Sequence, residues 1–157
     1  MAHESAVPAF DDAAAHKHFS TDCFNRAWEL IEKPNRTSAD DLMMVALNQA
    51  SIFHWQERTD CTDTHRSIGY WQASRIQSLL GNAAEARRHA ETSLAFAQAA
   101  EPFYRGYALE ALARAEKLAG NSARAVEYAA QARTEAERVE EQDEREALLA
   151  DLEEISP

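Results

Sequence analysis

Residues 67–100 (SIGYWQASRIQSLLGNAAEARRHAETSLAFAQAA) align without a gap to residues 106–139, so the chain repeats itself at a spacing of 39 residues. Eight of the 34 aligned positions are identical: Arg75/Arg114, Leu79/Leu118, Gly81/Gly120, Asn82/Asn121, Ala84/Ala123, Ala86/Ala125, Ala90/Ala129 and Ala97/Ala136. The Leu-x-Gly-Asn run and the Ala-x3-Ala pattern after it carry the match. Each copy reads as a helix, a glycine turn and a second helix. A single hairpin cannot bury its own apolar stripe, so neighbouring copies must stack.

Composition points the same way. Gly and Pro number four each in 157 residues, and the same sequence holds 32 Ala but only four Val and five Ile. Sandwiches and barrels need β-branched strands and frequent Gly or Pro turns, which excludes an all-β fold. No apolar run has the form of a buried parallel strand, which removes α/β folds as well. Leu, Ile, Val and Phe total 27 residues against a net charge of −11, values that in general accompany disorder. Helical spacing of the apolar residues, close-packing Ala and the three Trp and four Tyr outweigh that signal. The chain reads as all-α.

The acidic charge is concentrated at the end, with 4 basic and 11 acidic side chains in residues 122–157. An isoelectric point near 4.9 argues against nucleic acid or an anionic membrane as partner, since phosphate contacts need clustered Lys and Arg. No stretch of about 18 apolar residues is available to span a bilayer. Met1 to Asp12 lacks the basic-then-apolar pattern of a secretory leader. Cys23 and Cys61 form no disulfide framework. The expected compartment is the cytoplasm.

Along the chain, residues 1–15 read as a flexible arm and 16–157 as one helical domain. Its hairpins cover about 16–58, 65–100 and 102–139. Phe19, Cys23, Phe24, Ala27, Trp28 and Ile31 share one face of the first helix. Lys33-Pro34 stops that helix, and Thr37 or Ser38 caps the next. The expected buried stripe of helix two is Met43, Ala46, Leu47, Ala50, Phe53 and His54. Residues 58–64 form a loop, Gly81-Asn82 and Gly120-Asn121 turn the second and third hairpins, and Pro102 opens the fifth helix. Residues 143–155 read either as a truncated further helix, 39 residues beyond the start of the third hairpin, or as a continuation of helix six. As a truncated helix they would cap the array.

The runs Leu79-Leu80-Gly81-Asn82-Ala83-Ala84-Glu85-Ala86 and Leu118-Ala119-Gly120-Asn121-Ser122-Ala123-Arg124-Ala125 resemble the tetratricopeptide repeat family, with its turn glycine and the small residue opening the second helix. The resemblance covers residues 67–139. The pair at 16–58 matches in length but lacks the glycine, the unit is 39 residues against the usual 34, and no proline ends the second helix. As a whole the chain is similar to bacterial proteins of this type. The resemblance implies an α-solenoid of six helices plus the cap, and it brings no reaction with it.

It also implies that the first helix of each unit lines a concave groove, placing Ile68, Trp71, Arg75 and Ser78 beside Tyr107, Glu110, Arg114 and Lys117. Guanidinium forks suit carboxylates or phosphates, and flat aromatics supply contact area at low entropy cost. Trp71, Arg75, Tyr107, Arg114 and Lys117 are thus the candidate contacts for a peptide, a protein partner or a small anionic ligand. Replacing Arg75 and Arg114 together by Ala is expected to abolish binding without unfolding the chain. Alternatively, Trp71 packs on helix two and the basic residues pair with Glu110, Glu116 or acids of helix four.

Two other function classes stay open at this level. An enzyme or ligand-sensing pocket would use His54 as base with Trp55, Trp28 and Arg75, although no sequence-local partner for His54 is evident. A self-associating structural protein, such as a homodimer through the edge of helix six, would use apolar surface left on the last repeat. Asp60, Cys61, Asp63 and His65 lack the paired spacing of a zinc site, as does His16-x-His18, so no metal or cofactor is expected. H-E-x-x-H, Walker, G-x-G-x-x-G and G-x-S-x-G motifs are absent. The expected protein is not an enzyme.

Overall fold

The structure, a computed structural model, describes residues 10–155. Seven helices and no strand are found among them: α1 (Asp12–Glu32), α2 (Ser38–Gln56), α3 (Asp63–Leu79), α4 (Ala83–Phe96), α5 (Pro102–Leu118), α6 (Ser122–Ala136) and α7 (Gln142–Ile155). Each helix packs on the next, and in addition α3 meets α5 and α5 meets α7. The two copies detected in the sequence, α3–α4 and α5–α6, therefore lie side by side. None of the described helices is long and apolar enough to cross a membrane.

The turns follow from local chemistry. Gly81 and Gly120 take φ of 80° and 79°, the left-handed conformation that costs a side-chain-bearing residue about 1–2 kcal/mol. Each closes its helix in the same way: Gly81 N–H donates to Ser78 O and Asn82 N–H to Gln77 O, while Gly120 N–H donates to Lys117 O and Asn121 N–H to Glu116 O. The Asn side chain then reaches back, to Gln77 at 2.8 Å in one copy and to Glu116 at 2.6 Å in the other. The first hairpin has no glycine there, and Asn35 adopts φ of 58° instead. Thr37 caps α2 through a reciprocal capping box with Asp40.

Several boundaries differ from expectation. Helix α1 begins at Asp12, because Asp11 accepts from Ala14 N–H at 2.9 Å, so residues 12–15 of the expected arm are helical. Residues 1–9 of that arm lie outside the described residues. Helix α7 is a separate helix and not a continuation of α6, which ends at Ala136.

The buried face of α2 is rotated from the expected one. Met44, Leu47, Asn48, Ser51 and Ile52 are buried, whereas Met43 and Phe53 are about half exposed at 51% and 53%. Hydrogen bonds decide this. Asn48 Nδ2 donates to Gly69 O and to Gln72 Oε1, and Ser51 Oγ donates to Ser20 O at 2.7 Å. Gln72 in turn donates to Phe24 O, tying α3 to α1. These inward polar groups are all paired, as burial requires.

Further along, alanine lets the helices approach. Ala129, Ala132 and Ala136 of α6 and Ala113 of α5 are buried against Leu148, Leu152 and Ile155 of α7. The closest approach is at Gly106, where an added Cβ would stand 2.5 Å from the Leu148 side chain. The small residues of α5 and α6 make the bed, and the leucines of α7 fill it.

Candidate functional site

The odd-numbered helices bring aromatic rings together in a row. Trp28 of α1 packs on Trp71 of α3 at 5.3 Å, Trp71 meets Tyr107 of α5 edge-on at 5.2 Å, and Tyr107 meets Phe103 at 5.0 Å. Ser67, Ile68, Trp71, Phe103, Tyr104 and Tyr107 line a largely apolar cavity of about 240 Å³. Across Ile68 a second cavity of about 250 Å³ opens between α1 and α3, with Phe24, Trp55 and His65 in its wall. Sequence reasoning found Trp71 and Tyr107 but missed Phe103 and Tyr104. They lie one turn before Tyr107 on α5, and that offset is the signal that could have found them.

One turn further along α3 and α5 the row becomes ionic. Glu110 is 1% exposed, and its carboxylate accepts both Nε and Nη2 of Arg114, at 2.8 and 2.6 Å. Trp71 Nε1 donates to its other oxygen at 3.4 Å, and Arg75 lies 4.0 Å away. Burial pushes the Glu110 carboxyl above its ordinary value, and Arg114 pulls against that. Because Arg114 is the partner of a buried charge, replacing it by Ala would strand Glu110. The Arg75→Ala, Arg114→Ala pair is therefore expected to cost stability as well as binding.

The third contributor is α7, which the sequence suggested either as a cap or as a continuation of helix six. Glu154 Oε2 stands 3.7 Å from Arg75 Nη2 and 3.5 Å from Arg114 Nη2. Lys117 Nζ donates to the backbone oxygens of Ile155 at 2.9 Å and Glu154 at 3.3 Å, where the negative end of the helix favours a cation. Tyr107 OH donates to Asp151 at 3.0 Å, and burial, with Asp151 beside it, pushes its pKa well up. Arg75, Ser78, Leu79, Arg114, Lys117, Leu118, Glu154 and Ile155 enclose a cleft of about 550 Å³. Among the described residues, Arg75 Nε and Ser78 Oγ are buried without a hydrogen-bond partner.

All five expected contact residues thus fall on α3 and α5, Trp71 and Tyr107 lining one cavity and Arg75, Arg114 and Lys117 another. Trp71 packs against Trp28 and Tyr107, and Arg75 and Arg114 pair with Glu110 as the alternative reading expected.

The residues of the alternative pocket each have other partners. His54 bonds to His16 (Nδ1 to Nδ1, 2.9 Å) and packs on Phe19 and Phe53. Trp55 stacks on His65 at 4.0 Å and carries the Arg58 guanidinium 3.8 Å above its ring. Trp28 packs on Trp71, and Arg75 lines the cleft with Arg114 and Glu154. Neither is His54 a core histidine: its ring is only partly covered. Burial, with His16 beside it, holds its pKa below the ordinary value.

The loop residues are also dispersed. Asp60 pairs with Arg58, Asp63 with Arg66, and His65 joins Thr62 in the α3 capping box. No three His, Cys, Asp or Glu gather as a metal site would require among the described residues. Burial pushes the Cys23 and Cys61 thiols up, away from the reactive thiolate.

Comparison with protein-family models, with curated proteins and with solved structures finds no match to this chain.

Proposed function

We propose that the chain is a short α-solenoid of the tetratricopeptide type, acting in the cytoplasm as a non-enzymatic binding module. Its groove along α1, α3 and α5 takes a peptide or small ligand with an apolar body and an anionic end. Trp71 and Tyr107, with Phe103 and Tyr104 beside them, supply flat apolar area for the body. Arg75, Arg114 and Lys117 fix the acid.

The observation that carries this function is a single convergence. Three cations from two successive hairpins meet at a carboxylate and a helix end presented by a third element, next to an aromatic cavity. A surface arranged in that way accepts an acidic group from outside the hairpins, because Glu154 already is one.

The test is a screen of thermal stability against acidic peptides and small organic acids, since a ligand that prefers the folded state raises the melting point. Acids bearing an aromatic or apolar group are expected to stabilise the wild type. They should leave Arg75→Ala, Lys117→Ala unmoved, a pair that keeps the Arg114–Glu110 bond. A ligand that stabilises both proteins equally would place binding elsewhere.

A further inference from the structure

The cleft at Arg75 and Arg114 holds an acid already, and holds it loosely. Both guanidinium contacts to Glu154 are long, at 3.7 and 3.5 Å, and the Glu154 side chain is 59% exposed. Arg114 is committed elsewhere, with its short bonds on Glu110. Arg75 has only long contacts, 4.0 Å to Glu110 and 3.7 Å to Glu154, while its Nε and the neighbouring Ser78 hydroxyl go unbonded among the described residues. A buried N–H or O–H without an acceptor has lost its water and gained nothing in return. A single carboxylate reaching in from α7 satisfies neither donor. Tetrahedral oxyanions and doubly acidic groups offer more acceptor atoms at one point.

The same turn of α7 is anchored independently of Glu154. Leu152 and Ile155 are buried in the core between α5 and α6, and Lys117 bonds the last carbonyls. Glu154 can therefore swing away from the arginines without unfolding its helix.

Resting on the groove proposed above, we infer that Glu154 is a built-in competitor for that groove's anion site. The true occupant carries an oxyanion end group that displaces the Glu154 carboxylate and bonds Arg75 and Ser78. The chain tunes its own affinity in this way. Binding is weakened by the share of molecules in which Glu154 sits on the arginines. Exposed ion pairs of this kind are worth at most about 1 kcal/mol, so the effect is about fivefold.

Inorganic phosphate is the probe, titrated into the full chain while the side-chain Nε–H resonances of Arg75 and Arg114 are followed by NMR. Glu154→Gln should bind phosphate about fivefold more tightly than wild type, with a melting point lowered by about 2–4 °C, because the contact it removes also stabilises the fold. Glu153→Gln removes the same charge one residue away, on a side chain that pairs with Arg133 and does not line the cleft, and should bind as wild type does. If both variants gain alike, the effect is only the general field and the competitor is overturned. If wild type and Glu154→Gln bind equally while Arg75→Ala, Lys117→Ala binds no phosphate, the anion site stands and the competitor alone falls. If phosphate moves neither arginine in any variant, this inference falls together with the groove beneath it.

Discussion

Arg114 and Glu110 stand one helical turn apart on α5, a spacing that on an exposed helix would be worth a few tenths of a kcal/mol. Here the acid is fully buried, and the pair sits inside the packing of α3 and α5. Removing Arg114 leaves the buried charge with only the long contacts of Trp71 and Arg75, so Arg114→Ala should destabilise the chain by about 3–5 kcal/mol. Adding Glu110→Gln removes the stranded charge and should restore more than half of that loss. Urea denaturation of both variants measures it, and equal stability of the single and double variants would deny Glu110 its charge. From the sequence Arg114 was legible as a candidate contact, while its partner was one of several acids within reach. Gly81 and Gly120 were legible for a simpler reason: the left-handed turn is a local demand on the backbone, met inside six residues.

At the scale of elements, helix existence was readable nearly everywhere and helix orientation was not. Period 3.6 placed most of the α1 face, with Cys23, Ala27 and Ile31 buried as expected but Phe19 left exposed. It misplaced α2 by about one position, because apolar pattern was weighed and polar pairing was not. Asn48 and Ser51 turn inward to serve backbone carbonyls on other helices, and Met43 and Phe53 are left outside. No window of sequence contains the acceptors at Gly69 and Ser20. The alanine stripe of α6 is core, and α7 supplies its bulk. Leu152→Ala, which empties a fully buried position between α5, α6 and α7, should therefore cost about 2–5 kcal/mol in denaturant unfolding. The same change should broaden the Arg75 and Arg114 side-chain resonances, because Glu154 rides on that turn. A loss below about 1 kcal/mol would mean that α7 is not part of the packed core.

At the scale of the whole molecule, acidity is the dominant feature of the charge, and histidine governs the response to mild acid. Burial holds His54, His65 and His89 each below the ordinary value near 6.5. Neutral rings in the folded state face an unfolded chain that takes up protons near that pH. Stability is thus unaffected by these groups above about pH 6.5 and falls as the pH drops below it. The urea midpoint should be lower at pH 5.5 than at pH 7.5. His54→Gln should reduce that difference, since the short His16–His54 bond needs at least one neutral ring. A variant with the full wild-type slope would assign the pH response to other groups.

What the sequence determined by itself is local or repeated: helices from spacing and composition, turns from Gly81 and Gly120, hairpins from the 39-residue match, and the aromatic and basic residues of α3 and α5. These are decided by backbone sterics and by contacts within one or two turns. What only the tertiary structure decided is pairing over long separations. Glu154 meets Arg75 and Arg114, Tyr107 meets Asp151, and His54 meets His16, because packed helices bring together atoms that no periodicity relates. Burial then fixes which of the many acids and bases find each other, since a charge or donor inside the fold must be answered at a few ångströms.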